Sequence, residues 1–267
     1  MIQSRGHSTP ACSSGKSAVV ASALALVAAA ALACGDVSGG SNSVLSIQFD
    51  SLGAPSVVLG DTLRDTTGAL VRPVVHAYNF SGGEILPSPA WFQSPDSGIS
   101  VDSATGIVVG DSLRTAARII ATVGGLQAIQ KLDVTLRPDL IVAVDGFDSL
   151  TYSLIDSTKN FSPTLTVKVS HGAAPNDSVV RSYIVSFSIV SESDPKLADL
   201  VNDGRIRSGV DTTDANGIAG RAIHLHPALI TSAAGVDSII VSASARYRGV
   251  LVSGSPVRLV LKVKPAG

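Results

Sequence analysis

Residues 116–136 read AARIIATVGGLQAIQKLDVTL, two apolar-rich runs on either side of a glycine pair. Ile, Val and Thr recur in both runs, and these β-branched residues favour strands. Gly124-Gly125 predicts a tight turn, because glycine tolerates the positive φ that a two-residue hairpin turn requires. The stretch therefore predicts a β-hairpin made of strands 116–123 and 126–136.

Similar patterns continue on both sides of this hairpin. Leu45, Ile47 and Phe49 alternate with polar neighbours, as the residues of a half-buried strand do. The loop at 102–106 (DSATG) predicts a second hairpin. Short strands at this spacing, with no helical period between them, predict an all-β sandwich fold.

Pro138 provides a natural boundary, because proline interrupts strand pairing and a new apolar run begins directly after Asp139. The sequence thus predicts two tandem domains, at 44–137 and 138–267. Within the second, residues 194–201 (DPKLADLV) fit either a short helix capped by Asp194 or a strand through 198–201. The sequence does not choose between these two interpretations.

The first domain resembles a bacterial immunoglobulin-like domain of group 2. Three segments carry the resemblance, in the order 89–96 (PAWFQSPD), 99–110 (ISVDSATGIVVG) and 117–125 (ARIIATVGG). They are similar to the Trp-Ser-Ser-Asp strand, the Val-Asp-x-x-x-Gly hairpin and the Ile-x-Ala-Thr strand of that family, with Phe92-Gln93 in place of Ser-Ser. The match covers most of 55–136 and implies an immunoglobulin-like sandwich.

The most specific motif of the second domain is VDTTDANGIAG at 210–220. Asp214, Asn216 and Gly217 predict a tight turn with glycine at positive φ, and Ile218 begins a strand. The segment is similar to the turn in bacterial immunoglobulin-like domains of group 1, the invasin and intimin type. This resemblance covers roughly 139–264, with a divergent and longer middle.

The N-terminal region has the pattern of an export signal. Residues 1–17 carry Arg5 and Lys16 without an acidic group, and residues 18–33 are uncharged. The segment ALACG at 31–35 resembles the lipobox of bacterial lipoproteins, with Ala31 where that family usually has Leu. We therefore expect a signal peptide at 1–33, lipidation at Cys34 and a flexible tether at 34–43. An ordinary Ala-x-Ala cleavage site and an uncleaved anchor are the alternatives.

Charge and cysteine content limit the possible functions. Removing residues 1–33 leaves 18 basic and 21 acidic side chains, a net charge of −3, which excludes the basic footprint of a nucleic-acid-binding protein. Cys12 lies in the removed segment, so Cys34 has no partner for an intramolecular disulfide. Without a disulfide, the mature chain must be stabilised by its buried core, and its length is sufficient for that.

The remaining candidates for chemistry have ordinary structural explanations. The acidic loop at 211–217 does not fit a calcium EF-hand, because aligning Gly217 with the glycine at position 6 puts Ile223 where the final Glu belongs. His224 and His226 lie on one face of a strand, but no third ligand is evident nearby in sequence. We read them as solvent-facing imidazoles, with at most a weak adventitious Zn²⁺ or Ni²⁺ contact. Trp91 is predicted to fill the sandwich core.

We find no catalytic, metal or cofactor site in the sequence, and in particular no Gly-x-Ser-x-Gly elbow. The expected function is that of a non-catalytic envelope lipoprotein, weakly favoured for the outer membrane, acting as an adhesion, binding or spacer module. Its partners would be the membrane, through Cys34, and an unidentified protein or glycan. One alternative is an accessory subunit that docks through strand edges onto an envelope enzyme or transport complex. Another is a metal-dependent hydrolase using His224 and His226.

Overall fold

The computed structural model describes residues 43–144, 149–172, 174–190, 197–230 and 238–265. The predicted signal peptide, Cys34 and nearly all of the predicted tether lie outside these residues. Residues 44–267 form one compact unit. Its described part contains strands and two short 3₁₀ turns but no α-helix, so the fold is all-β, as predicted. No helix among these residues is long and apolar enough to cross a membrane.

The first sandwich consists of eight strands, which pair only with one another. A four-stranded sheet has the order β2-β8-β7-β4, and the pairs β1-β3 and β5-β6 pack against it. The strands are β1 (Ser46–Phe49), β2 (Ser56–Val58), β3 (Val75–Tyr78), β4 (Trp91–Gln93), β5 (Ile99–Val101), β6 (Val108–Gly110), β7 (Arg114–Val123) and β8 (Leu126–Thr135). Both hairpins expected from the sequence, β5-β6 and β7-β8, are confirmed.

The prediction that Trp91 lies in the core is wrong. Strand β4 pairs with β7 so that Phe92 lies opposite the buried Ala121. Because alternate residues of a strand face opposite sides of the sheet, Trp91 then faces outward. Phe92 is 7% exposed and Trp91 is 58% exposed. Phe92 is therefore the buried aromatic residue of this strand. It is also one of the two positions at which the segment 89–96 differs from the Trp-Ser-Ser-Asp pattern.

Asp96 ties the segment after β4 to strand β7. Its carboxylate accepts hydrogen bonds from the backbone N–H and the guanidinium of Arg118 and from the guanidinium of Arg114, at 2.8–3.1 Å. The Arg118 side chain, more than any other group, lowers the pKa of Asp96 to about 2. The carboxylate therefore stays ionised and bonded across the whole physiological range.

The described part of the second sandwich contains twelve strands and a separate hydrophobic core. The strands are β9 (Leu140–Ala143), β10 (Ser149–Tyr152), β11 (Leu165–His171), β12 (Ser178–Val179), β13 (Ile184–Ile189), β14 (Ala198–Val201), β15 (Val210–Thr212), β16 (Ile218–Leu225), β17 (Ser238–Ser244), β18 (Arg246–Tyr247), β19 (Val250–Leu251) and β20 (Val257–Pro265). The 3₁₀ turns are Ser157–Asn160 and Pro227–Leu229. Ala198–Val201 is thus a strand, while residues 194–196 lie outside the described part.

The sheet order of the second sandwich is that of an immunoglobulin fold. One sheet contains β9-β11-β16-β14, with β12 beside β11, and the other has the order β10-β20-β17-β13-β15. These correspond to the ABED and GFC sheets of an immunoglobulin domain, with β15 extending the second sheet beyond β13. Strand β10 runs parallel to β20. In the first sandwich β2 runs parallel to β8 in the same way.

The strand directions show where the chain enters and leaves each sandwich. Val44 lies against Gly124, at the turn between β7 and β8. Ten-residue strand β8 then runs from that turn to Thr135, a length of about 30 Å. The chain therefore enters the first sandwich at one end and leaves it at the other, where the second sandwich begins.

Candidate functional site

The end of the first sandwich from which the chain leaves forms a bonded junction with the second. Asp61, which follows β2, is 5% exposed. Its carboxylate accepts two hydrogen bonds from the Arg248 guanidinium, at 2.7 and 2.8 Å, and one from the Tyr247 hydroxyl at 2.9 Å. Tyr247 ends β18, and Arg248 begins the turn between β18 and β19. A bidentate ion pair therefore connects this hairpin of the second sandwich to the first sandwich.

The electrostatics of the junction favour the ionised carboxylate. Hydrogen bonding by Arg248 holds the pKa of Asp61 well below its usual range, against an opposing effect of burial. The carboxylate in turn raises the pKa of Arg248. Burial raises the pKa of Tyr183, whose hydroxyl donates to the Arg246 carbonyl at 2.6 Å and so supports the same hairpin.

The backbones of the two sandwiches also approach each other closely at this point. A Cβ added at Gly68 would lie 2.5 Å from the carbonyl carbon of Arg248, and one added at Gly249 would lie 2.5 Å from the oxygen of Thr67. Both glycines have positive φ, +89° and +80°. Only residues without a side chain fit this contact, since a Cβ normally keeps more than 3.0 Å from its neighbours.

A second set of polar contacts crosses the junction at Ser182. The Ser56 hydroxyl, at the start of β2, donates to the carbonyl of Ser182 at 2.6 Å. The Ser182 hydroxyl donates back to the carboxylate of Asp133 on β8. The two sandwiches are therefore joined at two separate places, in addition to the connecting segment 136–139.

The turn predicted around Asp214 has well-defined hydrogen bonding. The Asp214 carboxylate accepts the backbone N–H of Asn216 at 2.8 Å and of Ile218 at 2.9 Å. Gly217 has φ +74°, and its N–H donates to the Asp214 carbonyl at 3.1 Å. The Asp214 oxygens are thus engaged in holding the turn, and β16 begins directly after it at Ile218.

His224 and His226 are joined by a residue that sequence spacing did not indicate. Strand β14 pairs with β16 so that Asp199 lies opposite His224. The Asp199 carboxylate is 2.7 Å from Nε2 of His226. Burial is the largest of the effects that lower the pKa of His224. The sequence did not identify Asp199, because the segment that contains it, 194–201, fits a helix and a strand equally well.

The junction residues were also missed by sequence reasoning. Asp61 and Arg248 are 187 positions apart, in a Gly-Asp turn and an Arg-Gly turn that are common punctuation in β-proteins. An acidic residue that becomes fully buried is unusual unless it is paired, but burial is visible only in the structure.

The fold and junction define an all-β protein made of two joined sandwiches with immunoglobulin topology. No protein-family profile matches the sequence, and no curated protein matches it. Among solved structures, domains 4 and 5 of the S-layer protein SbsC align with 83% of this chain and 99% of that chain, at 11% identity and a TM-score of 0.31. The Yersinia pseudotuberculosis adhesin InvE aligns with 84% of this chain and 61% of its own, at 13% identity and a TM-score of 0.34.

The Escherichia coli adhesin FdeC aligns with 85% of this chain and 65% of its own, at 16% identity and a TM-score of 0.28. Similarities this distant carry no argument about this chain.

Proposed function

We propose that this protein is a non-catalytic spacer of the bacterial cell envelope, which holds the far end of its second sandwich away from a membrane. The observation that carries the proposal is the junction at Asp61. Two domains joined by a short connection normally move relative to each other unless their interface resists it. A spacer has to resist such motion, and the bidentate pairing of the buried Asp61 carboxylate with Arg248, combined with close backbone contact, does so.

The chain direction supports the same function. Strand β8 carries the chain about 30 Å from its entry at Val44 to the junction. In the second sandwich, β20 begins at Val257, opposite Ala243 near the junction, and runs for nine residues to Pro265. Val44 and the end of β20 are thus on opposite sides of the junction. In a protein tethered at its N-terminal side, this arrangement places the end of the second sandwich far from the membrane.

A scattering experiment tests the spacer function. In Asp61→Ala the ion pair is lost, and we expect the radius of gyration from small-angle X-ray scattering to change as the two sandwiches gain freedom. Asp214→Ala is the control, because it removes an acidic side chain that holds a turn within the second sandwich alone. Identical scattering from the wild-type protein and the Asp61→Ala variant would contradict a rigid spacer.

Attachment through Cys34 completes the proposal. The lipobox-like segment at 31–35 and the tether at 34–43 would place the first sandwich just clear of a bilayer, and the absence of Asp after Cys34 favours the outer membrane. Several acyl chains on one residue give stable anchoring. Metabolic labelling with a fatty acid, in wild type and in Cys34→Ser, tests the anchor. Label retained by the variant would disprove it.

Exposure of Trp91 favours a second candidate function, that of an accessory subunit docking through a strand edge. Trp91 lies on β4, the last strand of its sheet, and is 58% exposed. Exposed edge strands are sites for strand addition, and tryptophan is enriched among residues that dominate binding energy. A pull-down from membranes with wild type and Trp91→Ser tests this function. A stoichiometric partner that binds the wild type and not the variant would support docking. Recovery of the same amount of partner with both proteins would show that Trp91 takes no part in docking.

A further inference from the structure

The end of the second sandwich away from the junction carries a cluster of metal-ligating side chains. The donor atoms of Asp199, His224 and His226 all lie within 4.8 Å of one another. Among the described residues this is the one group of three or more such donors. From this geometry we propose that the cluster binds a divalent transition-metal ion, with Zn²⁺ as the preferred occupant.

Strand pairing explains why the three residues meet. His224 and His226 are two positions apart in and just after β16, so strand alternation places both rings on one face. Asp199 is directly opposite His224 on the neighbouring strand β14. Two of the ligands are on a hydrogen-bonded pair of strands, and the third follows directly, with its N–H donating to the Leu197 carbonyl at 2.8 Å. Ligands held by backbone pairing in this way give a more precise site than ligands on loops.

The distances are close to those that a metal needs. Tetrahedral Zn²⁺ with bonds of about 2.0–2.1 Å separates its donor atoms by about 3.3 Å. The carboxylate of Asp199 is now 2.7 Å from Nε2 of His226, so these two atoms would open by about 0.6 Å to admit the ion. The other separations are no more than 4.8 Å and would close by small shifts of the three side chains, all of which are partly exposed.

Neighbouring residues fix the orientation of the imidazoles. The Phe161 ring stacks on His224 with 4.3 Å between centroids and an angle of 5° between planes. His226 meets His224 edge to face at 4.5 Å. Packing that locks the rotamers of ligands reduces the entropy lost when a metal binds.

The cluster also has an open side. An open cavity of about 300 Å³ is lined by both histidines and by residues of the segment 153–160. It leaves room for a water or another ligand at the fourth coordination position, the arrangement of three protein ligands plus one open position. Two imidazoles and one carboxylate suit Zn²⁺, Cu²⁺ or Ni²⁺ better than Mg²⁺ or Ca²⁺, which prefer oxygen ligands alone.

Arg207 is the competing cation at this site. Its guanidinium lies 2.6 Å from the same oxygen of Asp199 that faces His226. The Arg207 side chain is 76% exposed, and an exposed ion pair of this kind contributes little stability. The arginine can therefore move into solvent when a doubly charged ion takes its place.

Isothermal titration of the untagged protein with Zn²⁺ tests the proposal. We expect one saturable site per chain in the wild type, and affinity at least about tenfold weaker in His224→Ala and in Asp199→Asn. Asp199→Asn keeps the shape of the side chain, so it remains informative if the histidine variant does not fold. Circular dichroism of each variant verifies the fold.

His76→Ala is the matched control. Its imidazole also lies between carboxylates, 3.1 Å from Asp50 and 2.5 Å from Glu84, but without a second histidine. We expect Zn²⁺ affinity to be unchanged in this variant. The proposal is overturned if the wild type shows no saturable binding, if folded Asp199→Asn and His224→Ala bind as tightly as wild type, or if His76→Ala weakens binding equally.

Discussion

A single methyl group at Gly249 tests whether the two sandwiches are in contact in solution. Gly249 is in the two-residue turn between β18 and β19, and a Cβ there would lie 2.5 Å from the oxygen of Thr67 in the first sandwich. Ordinary contact begins near 3.4 Å, so the Gly249→Ala variant must separate the two backbones by about 0.9 Å or distort its turn.

Gly125→Ala is a closely matched control for this variant. Gly125 is also the second residue of a two-residue hairpin turn, and its φ of +85° is close to the +80° of Gly249. In both turns the preceding residue has positive φ too, as a type I′ turn requires. A Cβ at Gly125 meets nothing within 4 Å. Both variants therefore carry the cost of alanine at positive φ, about 1–2 kcal/mol, and only one carries the clash.

The difference between the variants can be estimated in two ways. Forcing an extra methyl group into a packed contact costs about 1–3 kcal/mol. If the contact opens instead, the loss is that of charge-assisted hydrogen bonds such as those of Asp61, about 1.5–3 kcal/mol each. Either route predicts that Gly249→Ala is less stable than Gly125→Ala by about 1–3 kcal/mol. For a chain of this size, each kcal/mol lowers Tm by about 2–4 °C.

Differential scanning calorimetry measures this difference, and energy transfer between a dye on each sandwich reports their separation. We expect Gly249→Ala to have the lower Tm and a broader or longer distance distribution than Gly125→Ala. If the two variants have the same Tm and the same distance distribution, the sandwiches do not touch at Gly249 in solution.

Three further predictions concern single side chains. Asp61→Asn should lower the free energy of unfolding by about 2 kcal/mol at neutral pH, measured by chemical denaturation. Because the pKa of Asp61 is depressed in the folded state, the wild type should lose this contribution progressively as pH falls below about 4, the pKa of a free Asp. A difference between the two proteins that stays unchanged at low pH would contradict the pairing with Arg248. Asp96→Asn should lower Tm at neutral pH, and the difference from wild type should shrink between about pH 4 and about pH 2, since the folded-state pKa is about 2. Phe92→Ala should lower the free energy of unfolding by about 3–5 kcal/mol, whereas Trp91→Ser should change it by no more than about 0.5 kcal/mol. If urea denaturation shows the larger loss for Trp91→Ser, Trp91 and not Phe92 is the core residue.

The hairpins show which parts of the fold were predictable. Gly124-Gly125 and Asp102–Gly106 specify turns through backbone angles that few residues other than glycine adopt, and the flanking residues favour strands. Such preferences act over a few positions and survive in any tertiary context. The all-β class and both hairpins followed from them.

Trp91 and Phe92 show where that reasoning stops. Two adjacent aromatic residues guarantee that one faces the core, but alternation alone does not say which one. The answer depends on the register between β4 and β7, which places Phe92 opposite Ala121. A shift of one residue would exchange the two rings, so burial here was set by strand pairing rather than by residue type.

The all-β class, the turns and the division of apolar residues into short strands were predictable from the sequence, because they depend on local backbone preferences and on alternation. The contacts of Asp61 with Arg248, and of Asp199 with His224 and His226, exist only in the folded molecule. Those contacts join residues brought together by the junction and by the pairing of β14 with β16. Charge and hydrogen bonding depend on distance in space, and sequence separation carries no information about that distance.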